Sequence, residues 1–596
     1  MPTRLPLHRY PARTLPAMLE HTAARLPDKP FIRFFDPATP GAAPRAVTFA
    51  GFRAGVGRAA AFLRAHGVGP GTRILLLADN SPEWQMVALG AQLLRAEPAA
   101  IFASLSAEAA QGIARRVRPR VVVVSGAQGW EKLAPVAGEL SAAGLRVVLS
   151  GEPLAAASLV AGLSAMTLAD ATGPGAPGLD GAEHAALAAA VGEEDPFLLL
   201  FTSGTTGRPK GVRLPQRAMV HAVEGGTLPV GTTEDDLGVH FLPFAHVAGH
   251  AQFTLALAQG HALAMTARRE DIERALELHP TYLFSVPLVY ERIRAGVLAR
   301  VDALPGPARA LARRALEAAA RVRVDGSRRL PDRALARLAD RLVGRAVRAR
   351  LGGRIRGLFA GGAPAAPALF RFYEALGIPM VELYGMSETA GLISSNLFSG
   401  PRRAGSAGYP TPEHDLRFAP DGELQVRGPL LFTGYLEPED AEDAYTDDGF
   451  FRTGDVGCEE PDGALRIDGR KKNLMVLSTG KKVSPEPVEQ AIAAAEPFQG
   501  AVLLGEGRPF VAAAVFVARE ELARLAAAGK DAAEELLPRA RAALAAFSEF
   551  EKPKRLLVIP GAPHEHPALV TPTLKVKRDA LVEWLAPSLA RLYGAV

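Results

Sequence analysis

One cysteine, Cys458, in a chain of 596 residues leaves no internal disulfide to form and no thiolate cluster for a structural zinc. That scarcity fits a reducing compartment. No apolar run reaches the roughly 18 residues of a spanning helix; the nearest, AAASLVAGLSAMTLA from Ala155 to Ala169, falls short. The amino end is interrupted by prolines and charges and has no apolar signal core. A net excess of positive charge is also missing outside one region. The net charge is +5, yet Arg309 to Arg356 holds fifteen arginines against four acids, a local excess of +11. The remainder is therefore slightly acidic, which argues against a nucleic-acid partner. These absences describe a cytoplasmic protein, or one peripheral to the inner face of a membrane.

What is present exceeds one ordinary core, so a large multilayer domain plus a smaller one is expected. RILLLA (Arg73–Ala78), RVVVVSG (Arg120–Gly126) and LRVVLSG (Leu145–Gly151) are buried-strand runs separated by alanine-rich helical stretches. Strands alternating with helices predict parallel βαβ units. In DNSPEW, either Asn80 or Ser81 is placed to cap a helix that Pro82 starts. From about Asp421 the texture shifts to turns and short strands, and after Arg470–Asn473 to a smaller α+β region. The expected class is α/β: a large domain over 1–470, built of α/β subdomains with a turn-rich β subdomain, and a small mobile α+β domain over 471–596.

The stretch LLLFTSGTTGRPKGV (Leu198–Val212) carries the chemistry. A buried strand runs straight into a loop rich in glycine and hydroxyls, the usual way to present backbone N–H groups to phosphate oxygens. Lys210 adds a point charge. It is not a Walker loop, because Gly211 follows the lysine where Ser or Thr would hold magnesium.

The nine residues Ser203–Gly211 resemble the phosphate-binding signature of the adenylate-forming superfamily, which includes acyl-CoA synthetases, luciferases and peptide-synthetase adenylation domains. The superfamily's other motifs have counterparts downstream, in order. GLFAGGAPAAPALF resembles the adenine-side loop, with Gly361, Gly362 and Ala363 bordering the base. ELYGMSETAG resembles the motif in which Tyr384 stacks on adenine, Gly385 follows it, Ser387 bonds the α-phosphate and Glu388 holds Mg2+ with Thr205. Serine stands at 387 where threonine is commoner. Asp455, in YTDDGFFRTGDVG, and Arg470, in IDGRKKN, match the ribose-binding pair, and Lys472 takes the hinge position. STGKKVSPEPVE resembles the pantetheine-tunnel segment, which implies CoA contacts from Gly480 and Lys482. TPTLKVKR matches the carboxyl-terminal lysine motif and makes Lys575 the catalytic lysine, with Leu574 where glycine is usual. The resemblance thus implies phosphate binding by Thr202, Ser203, Gly204, Thr205, Thr206, Gly207 and Lys210, and catalysis by Lys575 and Glu388.

The chemistry implied is a two-step activation. A carboxylate attacks the α-phosphorus of ATP to give acyl-AMP and pyrophosphate; a thiol, normally CoA, then displaces AMP. The first step brings two anions together, so fixed cations are the appropriate remedy. In the family a rotation of the small domain separates the two steps.

One more absence bears on the substrate. Amino-acid-activating relatives need an acidic side chain to pair with the substrate ammonium, and HFLPFAHVAGHAQF (His240–Phe253) has none. Apolar walls suffice for a fatty tail, at about 0.8 kcal/mol per buried methylene. Phe244 and His246 are the candidate acyl-pocket residues. The helical insert Leu304–Leu351 resembles the long-chain branch, and LYGMSETAG its bubblegum-type members. The expectation is a medium- to long-chain fatty acid–CoA ligase using ATP, CoA and Mg2+. One alternative is a fatty acyl-AMP ligase delivering to an acyl carrier protein; another is a non-catalytic acyl or nucleotide sensor of the same fold. For the basic 307–356 helices two readings stand: a solvated arginine face on a packed helical pair, or contact with an anionic lipid surface.

Overall fold

The computed structural model describes residues 9–202, 208–227, 231–398, 402–545, 547–570 and 576–593. Among them, two large sheets build the amino-terminal body. The first runs in the order Gly434–Tyr435, Lys210–Pro215, Pro196–Thr202, Glu97–Ala100, Arg73–Leu77, Val121–Val124, Val147–Ser150, Ser164–Thr167. From Pro196–Thr202 onward its neighbours are parallel. Helices cover both faces, which is why Arg73–Leu77 and Val121–Val124 read as unbroken apolar runs and not as alternation. Ser81 is the cap of the helix Pro82–Leu93, its Oγ accepting from Trp84 N at 3.0 Å. The stretch Ala155–Ala169 contains a short 3₁₀ turn, the strand Ser164–Thr167 and the start of the helix Leu168–Thr172. No helix among the described residues is long and apolar enough to cross a membrane.

The second sheet runs Tyr409–Pro410, Ser394–Ser395, Met380–Tyr384, Gly357–Gly361, Tyr282–Ser285, Leu237–His240, Ala262–Thr266, Pro30–Phe35, Arg45–Thr48. Its central strands, from Met380–Tyr384 to Pro30–Phe35, are parallel. One apolar core joins the two sheets, with Phe31, Phe49, Phe52 and Phe253 stacked at its centre, ring centroids 4.4–5.7 Å apart. Truncating any of these rings costs about 3–5 kcal/mol, enough to threaten the whole body.

The turn-rich region is a four-stranded antiparallel sheet of Asp415–Phe418, Glu423–Arg427, Phe451–Glu459 and Leu465–Arg470. Beyond it, Phe498–Leu504, Ala512–Val517 and Arg555–Pro560 form a three-stranded sheet whose middle strand is buried at every position. Helices Pro485–Ala493 and Ala532–Ala543 cover one face, and Arg578–Trp584 and Ala586–Tyr593 the other. Both of these apolar clusters draw only on residues from Met475 onward.

The basic insert is helical, over Gly306–Arg323 and Leu330–Arg350. Val343 and Val347 are buried and Leu342 is 50% exposed. A π-helical turn interrupts the second segment at Asp340–Gly344.

Candidate active site

The site is assembled where strands of both large sheets end. The strand Pro196–Thr202 leaves the core at Thr202, which pairs with Lys210 on the antiparallel return strand. The loop between them is thus clamped at both feet. Ser203, Gly204, Thr205, Thr206 and Gly207, expected to hold phosphate and, for Thr205, metal, lie outside the described residues. Lys210 Nζ donates to the Asp440 carbonyl at 2.9 Å and sits 5.0 Å from the centre of the Tyr435 ring.

Tyr435 links that lysine to the next motif, its hydroxyl donating to Glu388 Oε1 at 2.9 Å. Glu388 lies in a 3₁₀ turn, Ser387–Thr389, immediately after the strand Met380–Tyr384. Gly385 makes the turn possible: a Cβ there would lie 2.4 Å from the backbone of Gly391 and Leu392. Glu388 is buried, and burial pushes its carboxyl pKa up, while the Tyr435 hydroxyl and the charges of Arg470 and Lys210 pull it back. Among the described residues no group of three or more His, Cys, Asp or Glu side chains could hold a metal alone. A magnesium ion bound chiefly through phosphates needs only one or two carboxylates, and Glu388, an oxygen donor facing cations, fits that demand.

Three further expected residues meet directly. Tyr384 donates its hydroxyl to Asp455 Oδ2 at 2.6 Å, and Arg470 Nε lies 2.7 Å from Asp455 Oδ1. Asp455 and Arg470 are cross-strand partners in the turn-rich sheet, so pairing register brings them together. Burial and the Asp455 charge hold the Tyr384 phenol well above its ordinary pKa, so its proton stays to donate. Gly361 and Gly362 end the neighbouring strand, with Gly362 at φ +77°, and Ala363 follows. Gly361 pairs with Leu383, which places this loop beside Tyr384.

The remaining expected residues are more dispersed. Lys472 is exposed in the 3₁₀ turn Lys471–Asn473, directly after Arg470. Gly480 has φ +79° and open space around it, and Lys482, itself exposed, begins a two-residue strand nearby. Phe244 is 1% exposed and stacks on Trp84 and His240. His246 caps the helix Val247–Gln259, Nδ1 accepting from Ala248 N at 3.2 Å. Lys575 lies outside the described residues. Val570 and Val576, the described residues on either side of 571–575, are antiparallel bridge partners.

Two residues emerge only from the structure. Asn80 pins the segment before His246, donating to the Leu242 carbonyl at 2.9 Å and accepting from Phe244 N at 3.0 Å. Glu382, inside the strand Met380–Tyr384, accepts from Ala365 N at 3.0 Å and so anchors the loop after Gly362. Its sequence signal was an acid among the apolar strand residues Met380, Val381 and Leu383. Burial raises its carboxyl pKa to about 8. The folded state therefore binds its proton more tightly than the unfolded state, and stability falls as pH rises from about 4.5 towards 8. Glu382→Gln removes that slope. Its unfolding midpoint is expected to gain on the wild type between pH 5 and pH 8, by about 1 kcal/mol per pH unit. Parallel pH dependence in the two proteins overturns the assignment.

The residues 19–436 match the family model described as AMP-binding enzyme, and 472–596 match its AMP-binding enzyme C-terminal domain. The chain belongs to the AMP-binding enzyme family. Members form an acyl adenylate from a carboxylate and ATP, and this chain has the ligase architecture for that reaction. Among curated relatives it is similar to the long-chain-fatty-acid–CoA ligase FadD15 of Mycobacterium bovis, at 32% identity over 89% of each chain. The Drosophila melanogaster long-chain-fatty-acid–CoA ligase heimdall is 29% identical over 84% of this chain and 76% of that one. Of solved structures, the A domain of a carboxylic acid reductase from Segniliparus rugosus, in complex with AMP and a carboxylic acid, superposes with TM-score 0.75 at 20% identity, covering 98% of this chain and 94% of that one. The anthranilate CoA ligase AuaEII superposes with TM-score 0.72 at 18% identity, covering 99% of each. These last two likenesses concern the fold of this AMP-binding enzyme.

Proposed function

We propose that this AMP-binding enzyme activates a medium- to long-chain fatty acid through acyl-AMP, releasing pyrophosphate, and then transfers the acyl group to CoA. The observation that carries this reading is the linked cluster Tyr384–Asp455–Arg470 with Glu388, Tyr435 and Lys210 beside it, a nucleotide-sized set of hydroxyl, carboxylate and cationic groups at strand ends. The acid-free segment His240–Phe253 and the printed activities of the curated relatives support a fatty substrate.

In this reading Tyr384 stacks on adenine between Gly361, Gly362 and Ala363, while Asp455 and Arg470 hold the ribose. Thr202 through Gly207 and Lys210 wrap the β- and γ-phosphates, and Ser387 bonds the α-phosphate. Glu388 and Thr205 would hold Mg2+, which supplies charge neutralisation on the phosphates. Lys210 screens the departing pyrophosphate, and Lys575 steadies the attacking carboxylate against α-phosphate repulsion. Lys472 is the pivot between a large domain over 1–470 and a mobile domain over 471–596, and Gly480 and Lys482 border the thiol path. Phe244 and His246 lie at the acyl pocket, His246 nearer the carboxylate. A cytoplasmic location suits the nearly cysteine-free chain.

The test is pyrophosphate release over a panel from acetate to C20 acids plus amino acids, with and without CoA. Release that peaks for medium or long chains, with acyl-CoA formed only when CoA is present, is expected. A preference for acetate or an amino acid rejects the substrate class; adenylate without acyl-CoA rejects the acceptor.

A further inference from the structure

A second polar concavity lies away from the nucleotide cluster, between the end of the helix Gly306–Arg323 and the segment Leu330–Arg350. It is a cleft of about 370 Å³ walled by Val322 and Ala336 and by five arginines, Arg323, Arg333, Arg337, Arg341 and Arg345, against a single acid, Asp340. Asp340 is already engaged: Arg348 holds its Oδ1 at 2.7 Å, with Arg345 at 3.7 Å and Arg323 at 4.0 Å. The neighbouring acids are also taken, Asp332 by Arg321 and Ser327, and Asp325 by Arg371. Arg333, Arg337 and Arg341 are exposed and have no ion-pair partner among the described residues.

Backbone geometry keeps these charges together. In an α-helix each four-residue step overshoots a full turn by about 40°, so a stripe at i, i+4, i+8 and i+12 drifts around the axis. The π-helical turn at Asp340–Gly344 undershoots over the same step and cancels the drift. Arg333, Arg337, Arg341 and Arg345 therefore open onto one cleft. Leu342, beside Arg341, is 50% exposed. Leu330, three and seven residues before Arg333 and Arg337 and hence on their face, is 77% exposed.

We propose that this cleft binds phosphate-bearing anions, and that its occupant is the headgroup layer of an anionic phospholipid surface. Like-charged guanidinium groups held in one concavity repel one another until an anion neutralises them, and phosphate suits their forked donors. The two leucines choose between sources. A soluble phosphate gains nothing from apolar side chains held in water, whereas a bilayer surface takes cations at its headgroups and leucines just below them. This interaction lies outside the adenylation reading and does not depend on it.

Three proteins decide it: the full chain, an Arg333→Gln/Arg337→Gln/Arg341→Gln variant and a Leu330→Ser/Leu342→Ser variant. All three are tested for co-sedimentation with phosphatidylcholine vesicles, with and without phosphatidylglycerol, and separately by titration with tripolyphosphate. The wild type is expected to bind only the phosphatidylglycerol vesicles, more weakly as salt rises. The arginine variant should lose on the order of 100-fold in partitioning. The leucine variant should bind vesicles less while its tripolyphosphate affinity is unchanged. Matching thermal unfolding and vesicle-free pyrophosphate release from octanoate serve as controls for the fold. Tripolyphosphate binding without vesicle binding overturns the lipid occupant. Vesicle binding unchanged in the arginine variant overturns the cleft. A wild type inactive on every carboxylate rejects the proposed reaction and leaves the vesicle result standing.

Discussion

Lys575→Ala is expected to leave ATP binding close to wild type and to cut pyrophosphate release by about 10³-fold. Carboxylate and α-phosphate approach each other as like charges, and one cation placed where charge develops is worth about 3–4 kcal/mol in a water-poor site. ATP itself has other handholds, in Lys210, Arg470 and the hydroxyl-rich loop, so ground-state binding should barely change. The two effects separate in a titration of ATP by calorimetry beside a burst measurement of pyrophosphate. The thiol-transfer half reaction, started from synthetic acyl-AMP, is expected to survive, because it no longer brings a carboxylate against the α-phosphate; the thiol attacks the acyl carbonyl and AMP leaves. Pyrophosphate release at the wild-type rate would remove Lys575 from the mechanism. Lys577 is the internal comparison: its backbone N–H is tied to the Leu569 carbonyl at 2.8 Å, and Lys577→Ala is expected to be mild.

Asp455→Ala should act on the opposite quantity. Asp455 is buried, and one carboxylate organises two partners, the Tyr384 hydroxyl at 2.6 Å and the Arg470 guanidinium at 2.7 Å. Its removal leaves a buried phenol without its acceptor and a cation without its counter-ion. Truncating one member of such a hydrogen-bonded charge pair costs roughly 2–5 kcal/mol. Affinity for ATP is therefore expected to drop by on the order of 10² or more, with kcat at saturating ATP much less affected. Asp455→Asn, which keeps an acceptor for Tyr384 but loses the charge facing Arg470, should fall between. Unchanged ATP affinity in Asp455→Ala would remove the Tyr384–Asp455–Arg470 cluster from nucleotide recognition.

The contrast between Asp455 and Glu382 shows how uneven the legibility of the site was. Asp455, Arg470, Tyr384 and Glu388 stand in short strings whose order along the chain resembles one superfamily; the fold brings the first three within bonding reach of one another, and Glu388 bonds Tyr435. Glu382 stands near Tyr384 in the same string, yet its role depends on Ala365, seventeen residues earlier in the loop that follows the neighbouring strand. Asn80 is a stronger case. From sequence it competed with Ser81 to cap a helix; in the fold Ser81 does so, and Asn80 reaches across to a loop more than 160 residues away.

Sequence alone determined what local forces decide. Unbroken valine and leucine runs became buried parallel strands because no other element hides both faces of such a run. A proline after a serine started a helix. The lack of acids in His240–Phe253 limited the substrate class. Tertiary structure alone decided which distant groups share a charge or a hydrogen bond, since those pairings follow from strand register and sheet order. It also decided where a helical period breaks. One π-turn at Asp340–Gly344 helped gather four arginines on one cleft, because an angular step per residue belongs to the backbone's hydrogen bonding, which the side-chain pattern only partly records.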